Sequence, residues 1–179
     1  MGKKMKCLLL PAMFAPYVIV GCMLVMFFSN KNELAGLIME KVFFNNGLLM
    51  LVLAFLYCVV SIACAGIYAL VALRKDVDVL DMTRTIMIIK LLQFPAYIFI
   101  LGIAFCVLLL AVPIMFFCYM ALFGTSIAGC AAVCIAKRRN MLIKGNSETL
   151  LVLQFICIAD VVATIILYRN LRQFYRYNK

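Results

Sequence analysis

Apolar residues run along this chain in long unbroken blocks set off by short charged stretches, rather than alternating with the period of a half-buried strand. The first block extends from Cys7 to Phe28, long enough to cross a ~30 Å hydrocarbon layer as a helix. The second, Asn45 to Leu73, holds no charge and is bounded by Lys41 and Arg74; at about 1.5 Å per residue it overshoots the same layer and is accommodated by tilt. The third, Leu91 to Ala136, is 46 uncharged residues, about 69 Å if helical, so two spans share it. Pro113 supplies the break, giving spans near Leu91–Leu110 and Ile114–Ala136 joined by a very short turn. The last block, Thr149 to Tyr168, differs in carrying Gln154 and Asp160. The pattern therefore predicts an all-α integral membrane helical bundle of about five transmembrane helices, at 7–28, 47–73, 91–110, 114–136 and 149–168, in a single domain. Between the first two, Lys31 to Phe44 sets Leu34, Leu37, Ile38, Lys41 and Val42 near one face, the pattern of a short in-plane helix or a lid over the outer end of the bundle.

Composition agrees with this reading. Hydrophobic residues make up 68% of 179 positions and mean hydropathy is +1.16, against about 45–50% apolar in a soluble domain. The formal charge of +10 would suggest nucleic acid in a soluble protein, but here the cations sit in clusters beside apolar blocks: Lys3, Lys4 and Lys6; Arg74, Lys75, Arg84 and Lys90; Lys137, Arg138, Arg139 and Lys144; Arg169, Arg172, Arg176 and Lys179. That distribution fits the cytoplasmic side of a membrane protein facing anionic lipid, so the lipid bilayer is the expected partner and nucleic acid is not. With the N-terminus inside, the first three clusters fall on the inner side, whereas five spans put the fourth outside. A re-entrant last segment is the alternative that would bring it back. The first block resembles a signal peptide with Ile19-Val20-Gly21-Cys22 as a lipoprotein-like cleavage box, but the run stays apolar through Phe28 and is read as a retained anchor.

Two places could carry chemistry. In KLLQFPAYIFILG, Lys90 to Gly102, a lysine, a glutamine and a proline stand at the start of a span. One reading makes Val79 to Ile89 an interfacial helix, turns the chain into the bilayer near Gln93 to Pro95 and leaves Lys90 among phosphates. The other makes Gln93 and the Leu91 carbonyl released by Pro95 part of a polar pocket. Asp160 lies near the middle of the last block, with Thr164 one turn on and Gln154 expected on another face; a carboxylate at such depth costs about 2.5–3.5 kcal/mol on insertion scales and faces a protein interior. It is either a buried hydrogen-bonded carboxyl or a proton, cation or ligand site. With Lys90 placed shallow, Gln93 or a bridging water is the expected neighbour of Asp160, and direct contact with Lys90 would need a third span starting near Ile86. The candidate intramembrane polar site is thus Asp160, Thr164, Gln93 and Lys90.

Small residues recur every fourth position in two spans, Ser61, Ala65 and Ala69 in the second and Gly124, Ala128 and Ala132 in the fourth, predicting close helix packing with these spans central. Pro11 and Pro16 mark the first span as kinked or peripheral. The chain has no histidine, which removes the commonest general base and the HExxH metal motif; Ser126, in GTSIAG, is not in a nucleophile elbow, and no second carboxylate lies at the depth of Asp160. Cys130 and Cys134 share a helix face without further ligands and are read as packing residues. No catalytic set, metal or cofactor is expected.

The segments MIIKLLQFPAYIFILG and CIADVVATIILYRN resemble an uncharacterised family of small multi-spanning membrane proteins of Gram-positive (Firmicutes) bacteria, over about half the chain. The resemblance implies a bacterial plasma membrane, groups Lys90, Gln93, Pro95 and Asp160 in one pattern, and transfers no activity. The expectation is a non-enzymatic accessory or ligand-binding bundle, alone, as a homo-oligomer or with a membrane-protein partner; the alternative is a small transporter or transporter subunit built around Asp160.

Overall fold

The computed structural model describes residues 3–29, 33–44, 46–75, 77–106, 111–141, 146–154, 156 and 159–177. Among them the regular structure is entirely helical: α1 (Lys3–Cys7), α2 (Leu10–Phe28), α3 (Glu33–Lys41), α4 (Gly47–Arg74), α5 (Val79–Cys106), α6 (Ala111–Arg138), α7 (Asn146–Leu153) and α8 (Ala159–Tyr177). Four helical stretches are long and apolar enough to cross a membrane: Met5–Phe28, Gly47–Arg74, Val79–Ala104 and Met115–Arg138. The expected fifth, 149–168, is not one helix. It is divided between α7 and α8, with Gln154 outside both.

Local chemistry sets the helix ends. Asn46 opens α4 with its side-chain oxygen accepting from the backbone N–H groups of Leu48 and Leu49 at 3.0 and 3.2 Å, filling donors that a helix N-terminus leaves free. Asp78 does the same at α5, accepting from Leu80 at 3.0 Å. The end of α6 is a Schellman motif: Asn140 takes a left-handed conformation (φ 53°), with its N–H bonded to Lys137 and that of Met141 bonded back to Ala136. The predicted break at Pro113 is displaced. Pro113 lies in the first turn of α6, where its missing N–H costs nothing, and the connection 107–110 lies outside the described residues.

The predicted entry of the third span near Gln93 to Pro95 is also corrected. Helix α5 begins at Val79 and continues through Lys90, Gln93 and Pro95 to Cys106. Met82, Ile86, Lys90, Gln93, Tyr97, Ile100 and Ala104 are all buried, so lysine and glutamine occupy an inward stripe with the three-to-four-residue spacing of a core-facing helix. Pro95 points outward. Lys90 is thereby placed roughly 16 Å in from the start of α5 rather than at the headgroups.

Helix α6 is central. Of its apolar stretch 67% is buried, against 28% for α4, so α4 flanks the bundle on one side and exposes Leu51, Phe55, Leu56, Val60 and Ile67 on the other. Ser61, Ala65 and Ala69 of α4 and Gly124, Ala128 and Ala132 of α6 are all buried. A Cβ on Gly124 would lie 3.2 Å from the Ser61 hydroxyl and 3.8 Å from the Ser61 carbonyl. Helix α3 packs against α2 and leaves Leu34 and Leu37 exposed.

Several contacts identify one end of the bundle. Lys6 bonds Asp81 at 2.9 Å, the Tyr175 hydroxyl donates to Asp78 at 3.1 Å, Lys137 lies 3.8 Å from Glu148, and the last turns of α4 and α6 line a common cavity. The start of the first span, the C-terminal ends of α4 and α6, the start of α5, the start of α7 and the C-terminal part of α8 therefore share this end. Segments α7 and α8 form a helical hairpin that enters and leaves from the same side.

Candidate functional site

The tip of that hairpin rests on Lys90. Helix α7 rises beside α6 and stops at Gln154, whose backbone carbonyl accepts a 2.5 Å bond from the Ser126 hydroxyl of α6. Non-helical backbone in a bilayer is tolerable only when protein satisfies its polar groups, and Ser126 satisfies this one. Helix α8 then descends beside α5, with Asp160, Val161, Ala163, Thr164, Leu167 and Leu171 buried and Arg169, Arg172 and Arg176 exposed.

The Lys90 ammonium has three N–H donors, and three acceptors meet it: the Asp160 carboxylate, the Gln154 side-chain oxygen at 2.5 Å and the Thr164 hydroxyl at 3.0 Å. Thr164 is itself filled, donating to the Asp160 backbone carbonyl at 2.9 Å and accepting from the Gln154 amide nitrogen at 3.3 Å. Lys90, Gln154, Asp160 and Thr164 are each no more than 1% exposed. The expected pairing of Asp160 with Gln93 or a bridging water, with Lys90 kept apart, is thus overturned: Lys90 and Asp160 form a direct buried ion pair. The deep start of α5 removes the depth gap that seemed to separate them. Gln154, expected on another face, joins the cluster because the break after α7 frees it from the helical register of Asp160.

Gly129 of α6 forms the wall behind this cluster. A Cβ there would overlap the Gln154 side chain, 2.8 Å from its amide carbon, and lie 3.1 Å from the Lys90 nitrogen. Neither Gly129 nor the bonding role of Ser126 was singled out by sequence reasoning. The available signal was their i, i+3 spacing on one face of α6, a small residue beside a small hydroxyl.

Gln93 has a different partner. Pro16 interrupts α2 and, lacking an N–H, leaves the carbonyl of Ala12 without its usual helical donor. The Gln93 amide donates to that carbonyl at 2.5 Å. In the opposite direction the Tyr17 hydroxyl of α2 donates to the Leu92 carbonyl of α5, next to the Leu91 carbonyl that Pro95 releases. Each proline-containing helix thus receives a hydrogen bond from the other. Among the described residues the Gln93 side-chain oxygen and the Ser61 hydroxyl are buried without a hydrogen-bond partner.

Fold and site together define a helical bundle with four helices suited to crossing a membrane and an ion pair sealed in its interior. No family model, curated protein or solved structure matches the chain.

Proposed function

We propose that this chain is a non-enzymatic, multi-pass protein of a bacterial plasma membrane, an accessory or ligand-binding bundle whose N-terminus is cytoplasmic, and that the Lys90–Asp160 cluster fastens the α7–α8 hairpin to the bundle. The carrying observation is that all three donors of the buried Lys90 ammonium are taken by internal acceptors, so the group offers no open position to a substrate. Support for the orientation comes from charge: the basic clusters gather at one end of the bundle, while the connection between α2 and α4 holds Lys31 and Lys41 against Glu33 and Glu40. The resemblance of MIIKLLQFPAYIFILG and CIADVVATIILYRN to segments of Gram-positive membrane proteins supports the compartment.

The second reading, a small transporter or transporter subunit, draws on the unpartnered Gln93 oxygen and Ser61 hydroxyl in the interior, since polar groups inside a span mark solute or proton paths. One preparation separates the two. The tagged chain is purified from native membranes in mild detergent and its composition measured by quantitative mass spectrometry. A stoichiometric second membrane protein, or a stable homo-oligomer, is the expected result. A monomer that drives saturable proton or cation uptake in proteoliposomes, lost in Asp160→Asn, would overturn the accessory reading.

A further inference from the structure

Where α4 and α6 end side by side, a cavity of about 210 Å³ opens between Ala72, Leu73, Arg74 and Lys75 of one and Ile135, Arg138 and Arg139 of the other. Among the described residues no carboxylate lines it. Among the described acidic residues at this end, Asp81 holds Lys6, Asp78 caps α5 and receives Tyr175, and Glu148 stands beside Lys137. Cations in the last turn of a helix also answer its dipole, but each helix end contributes only about half a negative charge. Two ends therefore offset roughly one cation, so the described lining residues Arg74, Lys75 and Arg138, counted without Arg139, remain net cationic. The other lining residues are the apolar Ala72, Leu73 and Ile135. Basic and apolar residues lining one cavity between helices at the cationic end of the bundle match an anionic phosphate carried by a lipid. Guanidinium groups add the forked geometry that phosphate oxygens accept.

We propose that this cavity is a binding site for a phosphate-bearing anion, supplied by an anionic phospholipid headgroup or by free phosphate. It is separate from the Lys90 cluster and does not depend on the function assigned to that cluster. Arg74, Lys75 and Arg138 are exposed, so their replacement leaves the core intact.

The test uses the full chain in a neutral detergent, following thermal unfolding at constant ionic strength with added short-chain phosphatidylglycerol, short-chain phosphatidylcholine or inorganic phosphate. Phosphatidylglycerol is expected to raise the unfolding temperature saturably and phosphatidylcholine to leave it unchanged. A Lys75→Gln/Arg138→Gln chain should need at least about tenfold more phosphatidylglycerol, since each cation near the headgroups contributes roughly a fewfold in affinity, whereas Lys41→Gln at the opposite end should behave as wild type. Stabilisation by phosphatidylglycerol alone assigns the lipid as the source; equal stabilisation by inorganic phosphate, also lost in the double variant, assigns the free anion. No saturable response to either ligand, or a response that the double variant retains in full, would overturn the site.

Discussion

A lysine and an aspartate buried together are expensive to separate and cheap to replace as a pair. Asp160→Leu leaves the Lys90 ammonium in a sealed interior with only the Gln154 oxygen and Thr164 hydroxyl, and removing one member of a buried ion pair costs about 3–5 kcal/mol. Asp160→Asn keeps an acceptor oxygen and should fall between that and wild type. Lys90→Met/Asp160→Leu removes both charges and should recover most of the loss, which equilibrium unfolding in mixed detergent will show as a strongly non-additive double-mutant cycle. Gly129→Ala provides an independent reading of the same spot. Alanine favours a helix over glycine by about 1 kcal/mol, yet here its methyl overlaps the Gln154 side chain. Overpacking costs about 1–3 kcal/mol, so a net loss of stability is expected. Gly124→Ala, which meets chiefly the rotatable Ser61 hydroxyl at 3.2 Å, should cost less, and side-by-side melts of the two variants check the contrast.

Between elements, the informative pairs are a proline in one helix and a polar side chain in its neighbour. Gln93→Leu strips the donor from the Ala12 carbonyl and should cost about 1–3 kcal/mol, the penalty for a buried polar group left unmade. In a Pro16→Ala background residue 16 regains an N–H for that carbonyl, so the same change should be near neutral; a Gln93→Leu cost unaffected by Pro16→Ala would show that the bond to Ala12 carries no weight. The four long helices were legible in the sequence because a membrane span needs only length and apolarity, and Asp160 and Thr164 stood out because a carboxylate in such a run is rare. Lys90 was misplaced for a definite reason. Lysine near the start of an apolar block reads as a snorkelling residue, and hydropathy gives no weight to the mixed stretch Val79 to Ile89, although Met82, Ile86 and Ile89 continue the inward stripe of Tyr97 and Ile100. The partnership of Pro16 with Gln93 was illegible because it joins residues far apart in the chain through a depth register that only packing sets.

For the whole molecule, the decisive question is how often the chain crosses the membrane, and the arrangement of α7 and α8 bears on it. Five full spans would carry Tyr177 to the face opposite Glu148, stranding Arg169, Arg172 and Arg176 on the side that the other basic clusters avoid. In the structure Tyr175 reaches Asp78 at the start of α5 while Glu148 lies beside Lys137 at the end of α6, so both ends of the last segment return to the basic face. α8 is amphipathic for the same reason: its first turns bury Asp160, Ala163 and Thr164 in the bundle, and its later turns expose arginines on one side while burying Leu167 and Leu171 on the other. Among the described residues the basic clusters, Lys90 apart, then lie toward one end of the bundle, as the positive-inside bias asks of a single membrane face. Single cysteines in a cysteine-free background test this at Lys41, Glu148 and Tyr177, all exposed. Membrane-impermeant maleimide applied to intact cells should label Lys41→Cys alone, and Glu148→Cys and Tyr177→Cys should react only after the membrane is opened. Labelling of Tyr177→Cys from outside would restore the fifth span and with it the fully crossing last segment. Outside labelling of both Glu148→Cys and Tyr177→Cys, with Lys41→Cys protected, would keep the hairpin but invert the molecule, and would place the basic cavity between α4 and α6 against the outer leaflet.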